Sequence, residues 1–134
     1  MLKEGCDGDI EIKNISFKYE GRKEEVFNDF SLVVKKGTKV AFVGVSGCGK
    51  STIMQLLMRF YEPTGGEVLI NGISIKNFDI HYLRGQFGVV SQEPVLFNGS
   101  FKDNIQYNIP KVDMNAIIDA ATKANAISFI TGDE

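Results

Sequence analysis

The chain has 134 residues, enough for one domain with a real core and too few for two. Fifteen basic residues against seventeen acidic leave a net charge of −2, so no strong field marks it for nucleic acid or an anionic membrane surface. No apolar run exceeds four residues, far short of the ~20 that cross a bilayer, and the N-terminus lacks a secretory pattern, so the chain reads as soluble and cytosol-facing.

Ile10, Ile12, Ile15, Phe17 and Tyr19 alternate with polar residues apart from one slip at Lys13-Asn14, which predicts a strand with a bulge. The polar loop Glu20 to Glu25 separates it from a second strand around Val26 to Val34; Lys35-Lys36 then reads as a solvated turn rather than a binding patch, and Lys36-Gly37 turns into the next run. Val40-Ala41-Phe42-Val43 is an apolar run of buried-strand type, and Thr52 to Arg59 has the spacing of an amphipathic helix. Glu62-Pro63-Thr64-Gly65-Gly66 breaks that helix. Glu67 to Ile70, Asn71-Gly72 and Ile73 to Ile75 then read as strand, hairpin turn and return. Asp79 is placed to cap a short helix through Tyr82-Leu83-Arg84, and Phe87 to Val90 reads as another short strand. Ser100 is placed to cap a helical turn over Phe101 to Ile105, and Asp113 to start a helix through Ala116, Ile117, Ala120, Ala121 and Ala124. Strands first, then mixed strand and helix, then helix, predict a small antiparallel sheet leaning on an α/β core.

Between the run at Val40 and the helix at Thr52 lies Gly44-Val45-Ser46-Gly47-Cys48-Gly49-Lys50-Ser51, which fits G-x-x-x-x-G-K-[ST] in the strand–loop–helix context that gives the pattern meaning. A triphosphate must be held without its water. Gly44 and Gly49 are expected to let the backbone curl, so that successive amides point into one concavity. The helix start adds unpaired donors and the positive end of its dipole. Lys50 brings a point charge to the terminal phosphates, and Ser51 a hard oxygen for Mg²⁺. Thr52 offers a further hydroxyl near the first phosphate. The plain alternative is a tight glycine turn with an exposed lysine, and the flanking elements favour the nucleotide. Cys48, inside the loop, is either a thiol activated by the helix N-terminus or a small inert residue. Cys6 and Cys48 form no C-x-x-C pair, which fits a reducing compartment and, with the single histidine, disfavours a zinc site.

Leu56 to Gly66, Asn71-Gly72, Val89 to Phe97 and Ser100 to Ile105 together resemble the nucleotide-binding domain of ABC transporters, of the exporter type found in multidrug pumps like P-glycoprotein. The resemblance runs from about Ile10 to the C-terminus. It implies an α/β, P-loop NTPase-like core with an N-terminal antiparallel β subdomain, truncated. A β-rich part falls at about 1–43 and 66–78, the Walker A loop and helix at 44–65, the Q-loop region at 86–98, and the start of a helical subdomain at 100–134. It also implies roles. Tyr19 matches the aromatic A-loop position that stacks on adenine; Glu20-Gly21 follow where many exporters have proline or threonine, leaving that loop less constrained. Gln92 matches the Q-loop glutamine, which reaches Mg²⁺ and orients the attacking water, tasks suited to an amide that both accepts and donates.

His81 precedes the Q-loop region in a helical patch and reads as a surface or partly packed residue, not as the family's switch histidine. Asp133-Glu134 mimics the acidic pair after the Walker B strand, but Ile130-Thr131-Gly132 precedes it where an apolar strand belongs. The family's L-S-G-G-Q signature, Walker B strand and switch histidine have no counterpart among these residues. In the family those parts complete a site shared by two domains packed head to tail, coupled to transmembrane domains. The resemblance therefore implies the ATP-binding part of an exporter acting at the cytoplasmic face of a membrane. This chain alone is expected to bind Mg-ATP with little or no hydrolysis and to self-associate through unpaired strand edges. Three rivals remain at this point: a half-domain of a non-transport ABC ATPase, a small P-loop kinase, and a module that binds nucleotide without turnover. A kinase lid rich in arginine is hard to build from Arg22, Arg59 and Arg84 alone.

Overall fold

A computed structural model describes residues 1–109 and 111–132. The acidic pair Asp133-Glu134 lies outside the described residues. The chain divides into two units, Met1–Val89 and Val90–Glu134.

The first unit is built on a four-stranded antiparallel sheet of order β2-β1-β3-β4. Its strands are β1 (Ile10–Phe17), β2 (Phe27–Val34), β3 (Gly65–Ile70) and β4 (Ile73–Ser74). β1 lies between two neighbours and turns Ile12, Ile15 and Phe17 into the core. The bulge expected at Lys13-Asn14 is present: the β1–β2 register slips between Ile12 and Ile15, and Asn14 takes φ 48°. Its side chain donates to Asp29 Oδ1 at 2.7 Å and its amide to Ser31 Oγ at 2.8 Å, so the groups the bulge frees from the ladder are held by β2. β3 follows the same distortion, with Gly66 at φ 74° against the main chain of Lys13 and Asn14. The hairpin turn between β3 and β4 takes positive φ at both Asn71 and Gly72, the type I′ requirement.

Helix α1 (Lys50–Leu57) lays Ile53, Leu56 and Leu57 on the inner face of the sheet, in one apolar cluster with Ile12, Val68, Ile70, Ile75, Phe78 and Leu83. After a 3-10 turn (Ile75–Asn77), α2 (Ile80–Gly85) is capped as expected by Asp79, which accepts from the amides of His81 at 3.1 Å and Tyr82 at 3.0 Å. The Tyr82 amide is the main reason that the Asp79 carboxyl lies below its ordinary pKa. From α2, Arg84 reaches back to the carbonyls of Met58 and Arg59, both at 3.0 Å, satisfying the open C-terminal end of α1. His81 is exposed, as its position implied.

Two expected strands are absent. Val40 to Val43 and Phe87 to Val90 pair with nothing among the described residues, and Val43 and Val90 are 94% and 98% exposed. An apolar run becomes a buried strand only when neighbours take up its backbone groups on both edges and cover both faces. The sheet here is antiparallel and closes on β2 and β4, so it supplies neither.

In the second unit, α3 (Phe101–Ile105) begins with a capping box in which the Ser100 hydroxyl and the Asp103 carboxylate serve each other's amides. Asn104 clamps the Phe97 main chain at both its N–H (2.8 Å) and its C=O (3.0 Å), and the Phe97 ring stacks on Tyr107. α4 (Met114–Lys123) starts after Asp113 as expected, though that side chain makes no capping bond. α5 (Ile127–Thr131) follows a turn at Asn125 with φ 56°.

Candidate phosphate-binding site

The loop from Gly44 to Gly49 runs directly into α1, whose N-cap is Gly49 in the left-handed region at φ 97°. Gly49 is also buried. A Cβ there would come within 2.8 Å of Phe27 Cζ and Val26 Cγ1, so the bare backbone is what lets the helix start settle on β2. The second left-handed residue is Gly47, at φ 84°. This corrects the expectation that Gly44 makes the curl: its φ is not positive, and its role is to leave room for Cys48 Sγ, 2.7 Å from where a Cβ would sit.

The curl leaves donors free. Among the described residues the amides of Gly47, Gly49, Lys50, Ser51 and Thr52 have no protein partner, while the Gly49 carbonyl takes the first helical bond from Ile53. No acidic side chain sits in the first turn to neutralise the positive end of the dipole. A cluster of open N–H groups at the mouth of a helix, beside a cation, favours an anion over a neutral ligand. Gly49→Ala is expected to lower stability by about 2–3 kcal/mol and to weaken polyphosphate binding together, because one Cβ meets both the backbone requirement and the packing on β2. Denaturation and titration of that variant would show it; a stable variant with intact binding would dissociate the cap from the site.

Lys50 does not point into solvent. Its ammonium donates to the carbonyls of Gly44 at 2.8 Å and Val45 at 2.7 Å and lies 3.5 Å from Cys48 Sγ. The loop thus holds the cation with its own oxygens, and an anion must draw it off them. Cys48 is exposed beside this cation, whereas Cys6 is half-buried and its thiol is pushed up by desolvation and then by Asp7.

Thr52 and Tyr19 are joined. The Thr52 side chain is only 5% exposed, and its Oγ1 lies 2.9 Å from the Tyr19 hydroxyl, which also donates to Gln55 Oε1 at 2.6 Å. The hydroxyl expected near the first phosphate is therefore spent on Tyr19, leaving the Thr52 amide to face the loop. Phe17 and Tyr61 meet the Tyr19 ring edge-on, with centroids 4.9 and 5.1 Å away. The Tyr19–Arg22 loop is also better held than Glu20-Gly21 implied: Arg22 N donates to Tyr19 O at 3.1 Å across a turn with Gly21 at φ 80°, and Val26 N to Phe17 O at 2.8 Å. Gln55 and Arg22 escaped the sequence reading. Gln55 was findable, lying three residues from Thr52 on one helix face; Arg22 was not, because only the turn brings it back over Tyr19.

An open cleft of about 460 Å³ runs from Arg22 through Val26 to Gly47 and Cys48. Ser51 is exposed on the first turn of α1. Gln92 is exposed in the second unit.

Residues 27–132 match the family model described as ABC transporter. The chain is 49% identical over 131 residues to ABC transporter B family member 2 of Dictyostelium discoideum, covering 97% of this chain and 9% of that protein. It is 50% identical over 128 residues to multidrug resistance protein 1 of Entamoeba histolytica, covering 92% and 10%. Among solved structures, a bacterial Atm1-family ABC exporter with ATP bound is similar with a TM-score of 0.87 and 36% identity, over 98% of this chain and 23% of that one. The chain therefore spans about a tenth of the length of these curated relatives.

Proposed function

The chain belongs to the ABC transporter family, and from that premise we propose that it is an ATP-binding portion of an exporter's nucleotide-binding domain. The observation that carries this reading is the set of unpartnered amides of Gly47, Gly49, Lys50, Ser51 and Thr52 beside the Lys50 ammonium. In this reading Gly44, Val45, Ser46, Gly47, Cys48 and Gly49 cradle the phosphates, Lys50 neutralises the terminal ones, and Tyr19 carries the base.

Ser51 and Gln92 are the groups assigned to Mg²⁺. Among the described residues no cluster of three His, Cys, Asp or Glu could hold a metal ion by itself. A serine hydroxyl completed by phosphate oxygens and water suits a small hard cation that keeps part of its hydration shell, and an amide oxygen is a donor of the same hard type. When bound, the ion would screen the phosphate charge.

In the whole protein, binding and hydrolysis of ATP would drive transport. A second nucleotide-binding domain would pack head to tail, with transmembrane domains alongside and the engine on the cytoplasmic face. No helix among the described residues is long and apolar enough to cross a membrane. Lys50, Ser51 and Gln92 supply positioning and charge, and no residue of this chain is assigned as base or partner signature, so binding should far exceed turnover. Calorimetry with Mg-ATP, alongside phosphate release at saturation, tests both parts. No heat of binding would sink the reading, and robust Lys50-dependent turnover would sink the claim of incompetence.

The exposed apolar run at Val40 to Val43 supports self-association of the isolated chain. Light scattering should find species larger than a monomer, with mass rising with concentration; a monomer at all concentrations would refute it.

A further inference from the structure

Tyr19 is fixed on one side and covered on another. Its hydroxyl is tethered to Thr52 and Gln55, and Phe17 and Tyr61 meet its ring edge-on, so the ring cannot swing to suit a ligand. The Arg22 guanidinium lies over that ring, 5.4 Å from its centroid. The turn from Tyr19 to Arg22 puts it there, closed by the 3.1 Å bond between their main chains. Arg22 is otherwise exposed at the mouth of the cleft that leads to Gly47 and Cys48, and it has no carboxylate partner among the described residues.

The spacing is informative. A flat ring between two planes needs about 3.5 Å on each side, roughly 7 Å in all, and Arg22 now leaves less. On the face that Arg22 covers, a base can reach Tyr19 if Arg22 withdraws by roughly 1.5–2 Å, within the reach of a long side chain on a short turn. Withdrawal by that amount would leave the guanidinium on the second face of the base. One exposed cation–π contact is then exchanged for two stacked contacts, ring on base and guanidinium on base. The geometry points to Arg22 as the second jaw of a base clamp, with Tyr19 as the fixed jaw and the guanidinium as the moving one. This rests on the ATP-binding reading above. The ligand class it favours is a nucleotide with an extended aromatic base, and the role needs a planar cation rather than charge alone.

The test compares Mg-ATP with magnesium tripolyphosphate, which has the phosphate tail and no base, on the full chain and on Arg22→Ala and Arg22→Lys. The expected result is a loss of affinity for ATP of roughly fivefold in both variants, with tripolyphosphate unchanged. Equal weakening of both ligands in Arg22→Ala, restored in Arg22→Lys, would make Arg22 a phosphate-steering charge and overturn the clamp. Unchanged or tighter ATP binding in Arg22→Ala would make it a cover that merely competes with the base, and would overturn it too. In either case wild-type binding, and so the reading beneath, would stand. Failure of the wild type to bind either ligand would remove both.

Discussion

Lys50→Ala is expected to weaken Mg-ATP binding about 100-fold while leaving the chain's stability within about 0.5 kcal/mol of wild type. The two halves have separate causes. In the free protein the ammonium makes only exposed contacts with the carbonyls of Gly44 and Val45 and with Cys48 Sγ. Water replaces these readily when the side chain is cut back. In the complex the same ammonium would lie among phosphate oxygens in a site walled by the loop, where a charge-assisted hydrogen bond contributes about 1.5–3 kcal/mol. The net effect is the difference between those two environments, and the phosphate side should win because its oxygens carry full charge. Calorimetric titration paired with a thermal melt separates binding from folding. Unchanged affinity would mean that Lys50 stays on its own loop and that the amides alone hold the ligand. A collapse of the melt would mean that the Gly44 and Val45 contacts hold the loop together.

Gly66→Ala should have the largest effect on folding, about 3–5 kcal/mol. Gly66 combines φ 74° with a position where a Cβ would overlap the main-chain oxygens of Lys13 and Asn14. Backbone cannot turn aside as a side chain can, so either the bulge in β1 or the pairing of β3 must give way. β1 is paired on both edges and contributes Ile12, Ile15 and Phe17 to the core, and the disturbance would reach the surface on which α1 rests. A cost of this size is a large share of the stability of a small domain. The measurement is the denaturation midpoint of Gly66→Ala against Gly72→Ala. Gly72 also has a positive φ (72°) but has nothing within 4 Å of the added atom. Comparable losses in the two variants would show that conformational strain alone is at work and that the close approach at the bulge is relaxed.

Much of the local structure was legible because it obeys local rules. The slip at Lys13-Asn14 marked a bulge, Asn71-Gly72 a hairpin turn, and Asp79 and Ser100 helix caps; the type I′ geometry and the reciprocal bond from Asp103 came with the structure. The helix after the glycine loop was visible from the spacing of Ile53, Leu56 and Leu57. Apolar runs misled where their fate depends on partners. Val40 to Val43 and Phe87 to Val90 have the composition of buried strands and no neighbour in the sheet to pair with, so they stay exposed apart from Phe87, which packs against the core. The roles of the loop glycines were read in part: Gly49 bends as expected, Gly47 shares that task, and Gly44 makes room for a sulfur atom.

What the amino-acid sequence determined by itself was the family and the chemistry: a glycine loop, a lysine and a hydroxyl at a spacing suited to polyphosphate, with exporter-like text around them. Such groups act through their neighbours along the chain, so order and spacing carry the information. Only the tertiary structure decided how the side chains are engaged. It gives the Thr52 hydroxyl to Tyr19, folds the Lys50 ammonium onto its own loop, and lays Arg22 over the ring that was expected to meet a base. Those pairings join residues far apart in sequence, or brought together by a single turn, and their energies depend on distance and direction in space, which a linear spacing does not encode.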